Sequence, residues 1–286
     1  MLRRYVIPRL ARLYTTVAPS ERGGYRLSRL ARRAWPRDAW EGRFRTPHGL
    51  ELGLDLETYP DVAMAFGVYE LDTLRLLRKL LKPGNTFVDG GANLGYFTLH
   101  AAALGARIEA FEPDPQNRVR LEANLAANPS DWAGRVHVHP IALSDTAGRA
   151  TLHHPATTDH LNHGSTSLLP GLAGGGTQTA VETARLDGVL SRADVVKLDV
   201  EGAELAALRG MASLLGGDHA PAVIVEVNHA ACKAAGHRPG ALHDTMQVAN
   251  PRYRCWWIGR RLRPLPDAEA LNHLPRQGNV LFRCGT

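Results

Sequence analysis

The run Thr86-Phe87-Val88-Asp89-Gly90-Gly91-Ala92-Asn93-Leu94-Gly95-Tyr96-Phe97 constrains this chain most. It reads as a short buried strand, a glycine turn and a helix start, the unit from which open α/β sheets build cradles for nucleotide-like cofactors. Gly91, Asn93 and Gly95 alternate through the turn, so the backbone can bend tightly and approach a ligand with no Cβ in the way. Asp89 stands at the strand end, two residues before the turn. A carboxylate there repels a pyrophosphate and suits a cofactor with a cationic end and no phosphates. That favours S-adenosylmethionine over NAD.

Glycine at a strand-to-helix corner also has a purely steric use, so the turn needs support from elsewhere in the chain. The next apolar strand, 107–112, runs into Glu112-Pro113-Asp114, which places an acid where this architecture holds ribose hydroxyls. Glu112 is the residue expected to do so. Asp114 precedes Pro115 and is expected to cap the following helix, 115–127, with Pro115 in its first turn.

The chain has 286 residues, 44% of them hydrophobic, enough for a full core in one large domain or two small ones. No apolar run approaches the roughly 20 residues of a membrane span. Arginines interrupt the N-terminus throughout, so it does not read as a secretory signal. Cys232, Cys255 and Cys284 are too scattered for a disulfide framework or a zinc knuckle, and a cytoplasmic setting is expected.

Charge is unevenly placed. Residues 1–45 hold twelve arginines against Glu21, Asp38 and Glu41, so the net +6 of the chain conceals a remainder of −3. Within this extension Leu27, Leu30, Ala31 and Ala34 fall at i, i+3, i+4 and i+7, with arginines on the other face, which describes a basic amphipathic helix. Such a helix suits peripheral contact with an anionic membrane, or nucleic acid. The preferred reading is plainer, an apolar stripe packed on the domain beneath a solvated face.

From residue 69 the pattern is regular. Leu71, Leu74, Leu77 and Leu81 form one helical face, stopped by Lys82-Pro83-Gly84. There follow strand 86–90, helix 94–104, strand 107–112, helix 115–127 and strand 135–143. A stretch from about 146 to 190 interrupts the alternation, and is read as strands and loops inserted over one face. The series resumes with strand 194–199, helix 203–215, strand 222–227, helix 239–249 and strands near 253–258 and 279–283. Residues 46–286 are therefore expected to form one α/β domain with a mainly parallel sheet covered on both faces, and ligands at the carboxyl ends of its strands.

The fourth of those strand ends carries the densest chemistry. Val195-Val196-Lys197-Leu198-Asp199-Val200-Glu201-Gly202-Ala203-Glu204 puts three acids and a lysine within eight positions. On one side of an extended segment, Lys197, Asp199 and Glu201 would aim together into the cleft. Glu204 has an equal claim as an acid at the start of the next helix.

Taken together these segments resemble the FkbM-type S-adenosylmethionine-dependent methyltransferases. The resemblance rests on the run at 87–97, on Phe111-Glu112-Pro113-Asp114-Pro115, Ala142-Leu143-Ser144-Asp145, Gly164-Ser165-Thr166-Ser167-Leu168, Arg185-Leu186-Asp187 and Lys197-Leu198-Asp199-Val200-Glu201-Gly202-Ala203-Glu204. Pro221-Ala222-Val223-Ile224-Val225-Glu226 matches the family's fifth strand, and Gly67-Val68-Tyr69-Glu70 the segment before its first. The similarity runs from about Gly67 to Asn228, leaving the arginine-rich extension and the region after 229 outside it. Gly90 is a departure, since the family more often has a branched apolar residue there.

The resemblance implies a Rossmann-like class I methyltransferase fold with a seven-stranded sheet. It implies that Gly91, Asn93 and Gly95 form the cofactor loop beside Asp89, that Glu112 holds the ribose, and that Ser144 or Asp145 lies near the adenine. It further implies O-methylation of a hydroxyl on a sugar, glycan or polyketide-like metabolite. A base must receive the hydroxyl proton. Asp199 is the first choice, with Glu201, Glu226 or His229 as substitutes and Lys197 in the same group. No metal is assigned, although Asp199, Glu201 and Glu226 would offer a divalent ion hard oxygen ligands. A nucleic-acid methyltransferase using the arginine arm is the alternative. It is disfavoured because strand four ends in Leu-Asp-Val-Glu and the body is net acidic, so nucleic acid is not the expected partner. A non-catalytic binding protein on the same fold is the third reading.

Histidines crowd the inserted stretch as His153, His154, His160 and His163, and are expected to be an exposed polar loop. His137 and His139 share one face of a strand and are expected to be partly buried, hydrogen-bonded neighbours. The insert, 146–190, is expected to cap the acceptor site.

Overall fold

The computed structural model describes residues 21–33, 39–155, 166–172 and 175–285. Its centre is an eight-stranded sheet in the order β12-β11-β13-β10-β9-β3-β4-β5. The inner strands are β3 (Thr86–Gly90), β4 (Arg107–Phe111), β9 (Val195–Leu198) and β10 (Ala222–Asn228), flanked by β5 (Val136–His139). These five run parallel. β13 (Gln277–Cys284) is antiparallel to β10, β11 (Tyr253–Trp257) is antiparallel to β13, and β12 (Arg263–Leu265) is antiparallel to β11. Phe87, Val88, Ile108, Ala110, Val195, Val196, Val223, Ile224 and Val225 are all buried, as parallel strands covered on both faces require.

Two apolar layers cover the sheet. One packs Phe87, Ile108 and Ala110 under α4 (Tyr96–Ala103), α5 (Pro115–Ala126), α3 (Leu71–Leu80), α2 (Asp61–Ala65) and the hairpin β1 (Glu41–Arg45)–β2 (Glu51–Asp55). The other packs Val88, Val196 and Val225 under α6 (Glu204–Arg209), α7 (Ala212–Gly216) and α9 (Gly240–Ala249). Registers matter more than layers for the site. Gly90 is level with Phe111 and with Leu198, and Leu198 with Val225. The next residues, Gly91, Glu112, Asp199 and Glu226, therefore form a row along the carboxyl edge.

Several expectations are corrected. The sheet has eight strands, because three-residue β12, with Pro264 at its centre, gives too short a pattern to read. Strand 135–143 is two strands: Pro140 ends β5, and β6 (Ile141–Leu143) leaves the main sheet to pair with β8 (Gln178–Ala184), which also pairs with β7 (Gly148–His153). This three-stranded sheet spans the start and the later part of the insert. Helix 203–215 is broken, since a side chain at Gly210 would overlap the Ser144 carbonyl oxygen and the chain turns there between α6 and α7. Short helices α2, α8 (His229–Ala234) and α10 (Ala268–Asn272) lack enough turns to show a period. The hairpin β1–β2 pairs Glu41–Arg45 with Glu51–Asp55, and so joins the end of the arginine-rich extension to the domain.

Helix α1 (Glu21–Arg32) packs on the domain through Ala31, Ser28 and half-buried Leu27. Leu30 is 60% exposed, so the buried stripe is rotated away from the expected one. Arg32 donates to the Leu56 carbonyl at 2.5 Å and lies 4.5 Å over the Trp40 ring, while Ala34 falls outside the described residues. No described helix is long and apolar enough to cross a membrane.

Candidate active site at the carboxyl edge of the sheet

The turn after β3 is held by its neighbours. The Gly91 and Ala92 N–H groups donate to the Phe111 carbonyl at 2.9 and 3.1 Å, and the Asn93 N–H donates to Glu112 Oε2 at 2.7 Å. Gly91, Asn93 and Gly95 have φ of +80°, +51° and +91°, left-handed conformations that glycine, and asparagine among side chains, adopt at least cost. The space kept open by glycine is filled by protein and not by ligand. A Cβ at Gly91 would overlap the Asp199 carbonyl oxygen, and one at Gly95 would stand 3.0 Å from Leu121 Cγ. Gly90 is explained in the same way, because Leu198 and Leu143 side chains occupy the position its Cβ would take.

Glu112 is the anchor of this end. Oε2 accepts from Asn93 N–H and Oε1 from Asp114 N–H at 2.9 Å, so the carboxylate is fixed with both oxygens beside the turn. Burial pushes its pKa up to about 7 against the pull of those two donors. Asp114 caps α5 through the Gln116 N–H at 2.8 Å, with Pro115 in the first turn, as expected.

A cavity of about 440 Å³ extends from Glu112 and Asn93 along the edge to Asp199 and Glu226. This is within the size range of small-molecule sites. At its far end lies a buried ion pair. Lys197 Nζ is 2.7 Å from Asp199 Oδ2 and 4.5 Å over the Phe97 ring, with Lys197 only 2% exposed. Burial alone would lower the Lys197 pKa, but Asp199, Glu70 and Asp89 outweigh it and hold the ammonium above its ordinary value. Lys197 is therefore a fixed cation, and chemistry that needs a neutral amine is excluded.

The other acids of the wall are shifted the opposite way. Burial, then Asp199 and Glu204, pushes Glu201 up to about 8. Burial, then Asp199 and Glu201, raises Glu226 well above the carboxylate range. Glu226 Oε1 accepts from Gln277 Nε2 at 2.8 Å, and its buried Oε2 has no partner. Glu201 does not continue an extended segment as expected. β9 ends at Leu198, and Glu201 sits in a turn with φ +50°, its carbonyl accepting from Ser167 Oγ at 2.6 Å. Glu204 binds the same turn from within, accepting from the Val200 and Gly202 N–H groups at 3.0 and 3.1 Å. Its role is structural.

Five expected residues, Asp89, Ser144, Asp145, Gly95 and His229, stand away from the cavity wall. Asp89 is 1% exposed beneath the floor, accepting from Thr98 Oγ1 at 2.6 Å, with a pKa raised by burial; it acts on the site through charge, on Lys197 and Asp199. Ser144 and Asp145 follow β6 out of the main sheet. Ser144 N–H bonds the Ala184 carbonyl at 2.9 Å, and the Asp145 carbonyl accepts from Arg185 Nη1 at 2.8 Å. Ile141, Ala142 and Leu143 line the cavity in their place. Gly95 likewise packs on Leu121 and does not reach the wall. His229 opens α8 and is not in the wall, though its buried Nε2 has no partner. His154 bonds Thr179 Oγ1 at 3.0 Å, while His160 and His163 fall outside the described residues.

Residues that sequence reasoning missed come from three places. Glu70 starts α3 at φ +40°, accepts from Asn279 Nδ2 at 2.8 Å and supplies one of the charges on Lys197. Gln277 and Asn279 arrive from β13, paired with Asn228 and Glu226. Tyr59, Met64 and Tyr69 complete the wall from the segment before β3. The Gly67-Val68-Tyr69-Glu70 stretch was the available signal, and polar residues inside an otherwise apolar β13 were the second.

The methyltransferase FkbM domain model matches residues 89–276, about two thirds of the chain. The chain belongs to the FkbM methyltransferase family. Among curated relatives, methyltransferase sdnD of Sordaria araneosa is 34% identical, with 45% of this chain and 61% of that one covered. The ribosomal protein L11 methyltransferase of Bacillus cytotoxicus is 34% identical over 27% of this chain and 25% of its own. The matched part is thus less than two thirds of either relative. A solved ribosomal protein L11 methylase from Lactobacillus delbrueckii subsp. bulgaricus aligns with TM-score 0.41 at 13% identity, covering 76% of this chain and 77% of that one. The strand order, with β13 reversed between β10 and β11, is the class I methyltransferase arrangement extended by β12.

Proposed function

We propose that this methyltransferase uses S-adenosylmethionine to methylate a hydroxyl of a sugar, glycan or polyketide-like acceptor, with Asp199 as the base. The observation that carries this reading is the buried Lys197–Asp199 pair at 2.7 Å, placed along one cavity from Glu112. The residues present fit the cofactor. Glu112 is a buried carboxylate fixed by two backbone donors, with acceptor capacity left for ribose hydroxyls. When bound, S-adenosylmethionine supplies an electrophilic methyl group on a sulfonium, already activated for transfer.

The chain's own residues then have three tasks. Lys197 occupies Asp199 Oδ2, which leaves Oδ1 to receive the acceptor hydroxyl proton. Of the wall acids near Asp199, Glu226 and Glu201 both have pKa values raised by burial and by the Asp199 charge, which favours their protonated forms. A protonated Glu226 offers its unpartnered Oε2 as a hydrogen-bond donor that orients the acceptor. Thr166 and Leu168 of the insert, with Tyr59 and Met64 opposite, exclude water and shape the acceptor pocket. A cytoplasmic setting belongs to the same proposal, supported by free Cys232, Cys255 and Cys284.

The test is methyl transfer from labelled S-adenosylmethionine to a panel of hydroxylated sugars, glycans and polyketide-type alcohols. Asp199→Asn should keep cofactor affinity and lose turnover by about 100-fold or more, the range for removing a general base. Full turnover in Asp199→Asn would refute the assignment.

A further inference from the structure

Away from the cavity, the described residues bring together one group of three side chains with metal-ligand chemistry, Glu109 on β4 and His137 and His139 on β5. Their positions follow from register. Glu109 is level with His137 and Phe111 with His139, so residues 109, 111, 137 and 139 share one sheet face. His139 Nε2 is 2.6 Å and His137 Nδ1 3.7 Å from Glu109 Oε2, and the three donor atoms lie within 4.8 Å of one another. Tetrahedral zinc with bonds of about 2.0–2.1 Å sets its ligand atoms roughly 3.4 Å apart, between the 2.6 and 3.7 Å at which the two histidine nitrogens stand from Glu109 Oε2.

The expectation of two partly buried, hydrogen-bonded histidines holds for one of them. His139 is half-buried and stacked on the Phe111 ring, with centroids 4.5 Å apart and planes at 12°, which fixes its orientation. The His137 side chain is 82% exposed on the edge strand. One ligand is thus held rigidly by the sheet, a second guards an open approach, and a carboxylate stands between them. That is the layout of a three-ligand site with its fourth position left to water. Two imidazoles and one carboxylate suit zinc, cobalt or nickel better than magnesium or calcium, which prefer all-oxygen cages. His139 Nε2 and Glu109 Oε2 are hydrogen-bonded to each other at 2.6 Å.

We infer that Glu109, His137 and His139 form a binding site for a borderline divalent transition metal, zinc foremost. The site braces the β4–β5 edge. It adjoins the cofactor end without entering it, because the His139 carbonyl accepts from the Glu112 N–H at 3.1 Å and Phe111 lines the cavity. The inference stands on these residues alone and does not depend on the methyl acceptor.

Titration of the tag-free full chain with zinc chloride tests it, alongside the visible spectrum of the protein with cobalt chloride. One equivalent of zinc should bind, cobalt should give the intense bands of a four-coordinate ion, and zinc should raise Tm. His137→Ala and His139→Ala should each weaken zinc binding by at least about 10-fold, the loss that even outer partners of a metal site cause. His137 is exposed, so its variant keeps the fold and remains a fair test. His273→Ala, which breaks the exposed His273–Glu269 pair at 3.0 Å, should change nothing. Absence of stoichiometric binding, undiminished binding in both histidine variants, or an equal loss in His273→Ala would each overturn the inference.

Discussion

Replacing Lys197 by methionine keeps the length of the side chain and removes its charge from a buried place. Asp199 Oδ2 is 2.7 Å from Nζ, and Glu70 and Asp89 add their charges to the same ammonium. At an effective dielectric constant of 20, unit charges at that separation attract by about 6 kcal/mol, before desolvation is set against it. Breaking a buried pair from one side costs about 3–5 kcal/mol in practice, because the remaining charge is stranded. Lys197→Met should therefore lose about 3–5 kcal/mol at pH 7.5, a large part of the stability of a typical domain. Urea unfolding followed by circular dichroism measures this directly. The double variant Lys197→Met/Asp199→Asn strands one charge fewer, and should regain at least about 1 kcal/mol over the single one. The loss should also shrink at pH 5, as stranded carboxylates take up protons. Equal stability of single and double variants, or a loss of less than about 1 kcal/mol at both pH values, would refute the reasoning.

Further consequences can be measured on the same protein. Glu112→Gln should weaken S-adenosylhomocysteine binding by about 10–100-fold, the worth of one charge-assisted hydrogen bond. Because Glu112 titrates at about 7 and its ionised form is the better acceptor, wild-type affinity should fall as pH drops from 8 to 6, and Glu112→Gln should lose that dependence. Glu112, Glu201 and Glu204 have folded pKa values of about 7, 8 and 7, above the ordinary 4.5, so the folded state holds more protons than the unfolded one between those values. Stability should consequently decline as pH rises from about 5 to about 8, and Glu201→Gln should flatten the upper part of that decline in urea midpoints. Gly91→Ala sets a Cβ against the Asp199 carbonyl at φ +80° and should cost about 2–6 kcal/mol in the same assay, from strain and overpacking combined.

What the sequence made legible follows the physics of each element. Parallel strands buried on both faces are apolar runs bounded by turn residues, so β3, β4, β9 and β10 could be placed within one or two positions. Acids at their ends, Glu112, Asp199 and Glu226, stood out against that background, and the registers bring them into one row. What depended on distant packing was not legible. The rotation of α1 is set by what lies beneath Ala31, and the break at Gly210 by the Ser144 carbonyl. Ser144 and Asp145 stand off the cavity wall because Pro140 ends β5 and β6 pairs in a second sheet, a change of partner that a local pattern does not encode. Glycines were found for one reason and needed for another, since Gly91 and Gly95 clear Asp199 and Leu121. Glu70, Gln277 and Asn279 reach the site from more than 200 residues apart, visible only once β13 is laid beside β10.

Calorimetric titration with S-adenosylhomocysteine bears most directly on the central claim, that one cavity joins a cofactor anchor at Glu112 to a base at Asp199. Wild type and Asp199→Asn should bind with similar affinity, and Glu112→Ala should bind at least about 10-fold more weakly. Absence of binding by the wild type, or undiminished binding by Glu112→Ala, would contradict the account.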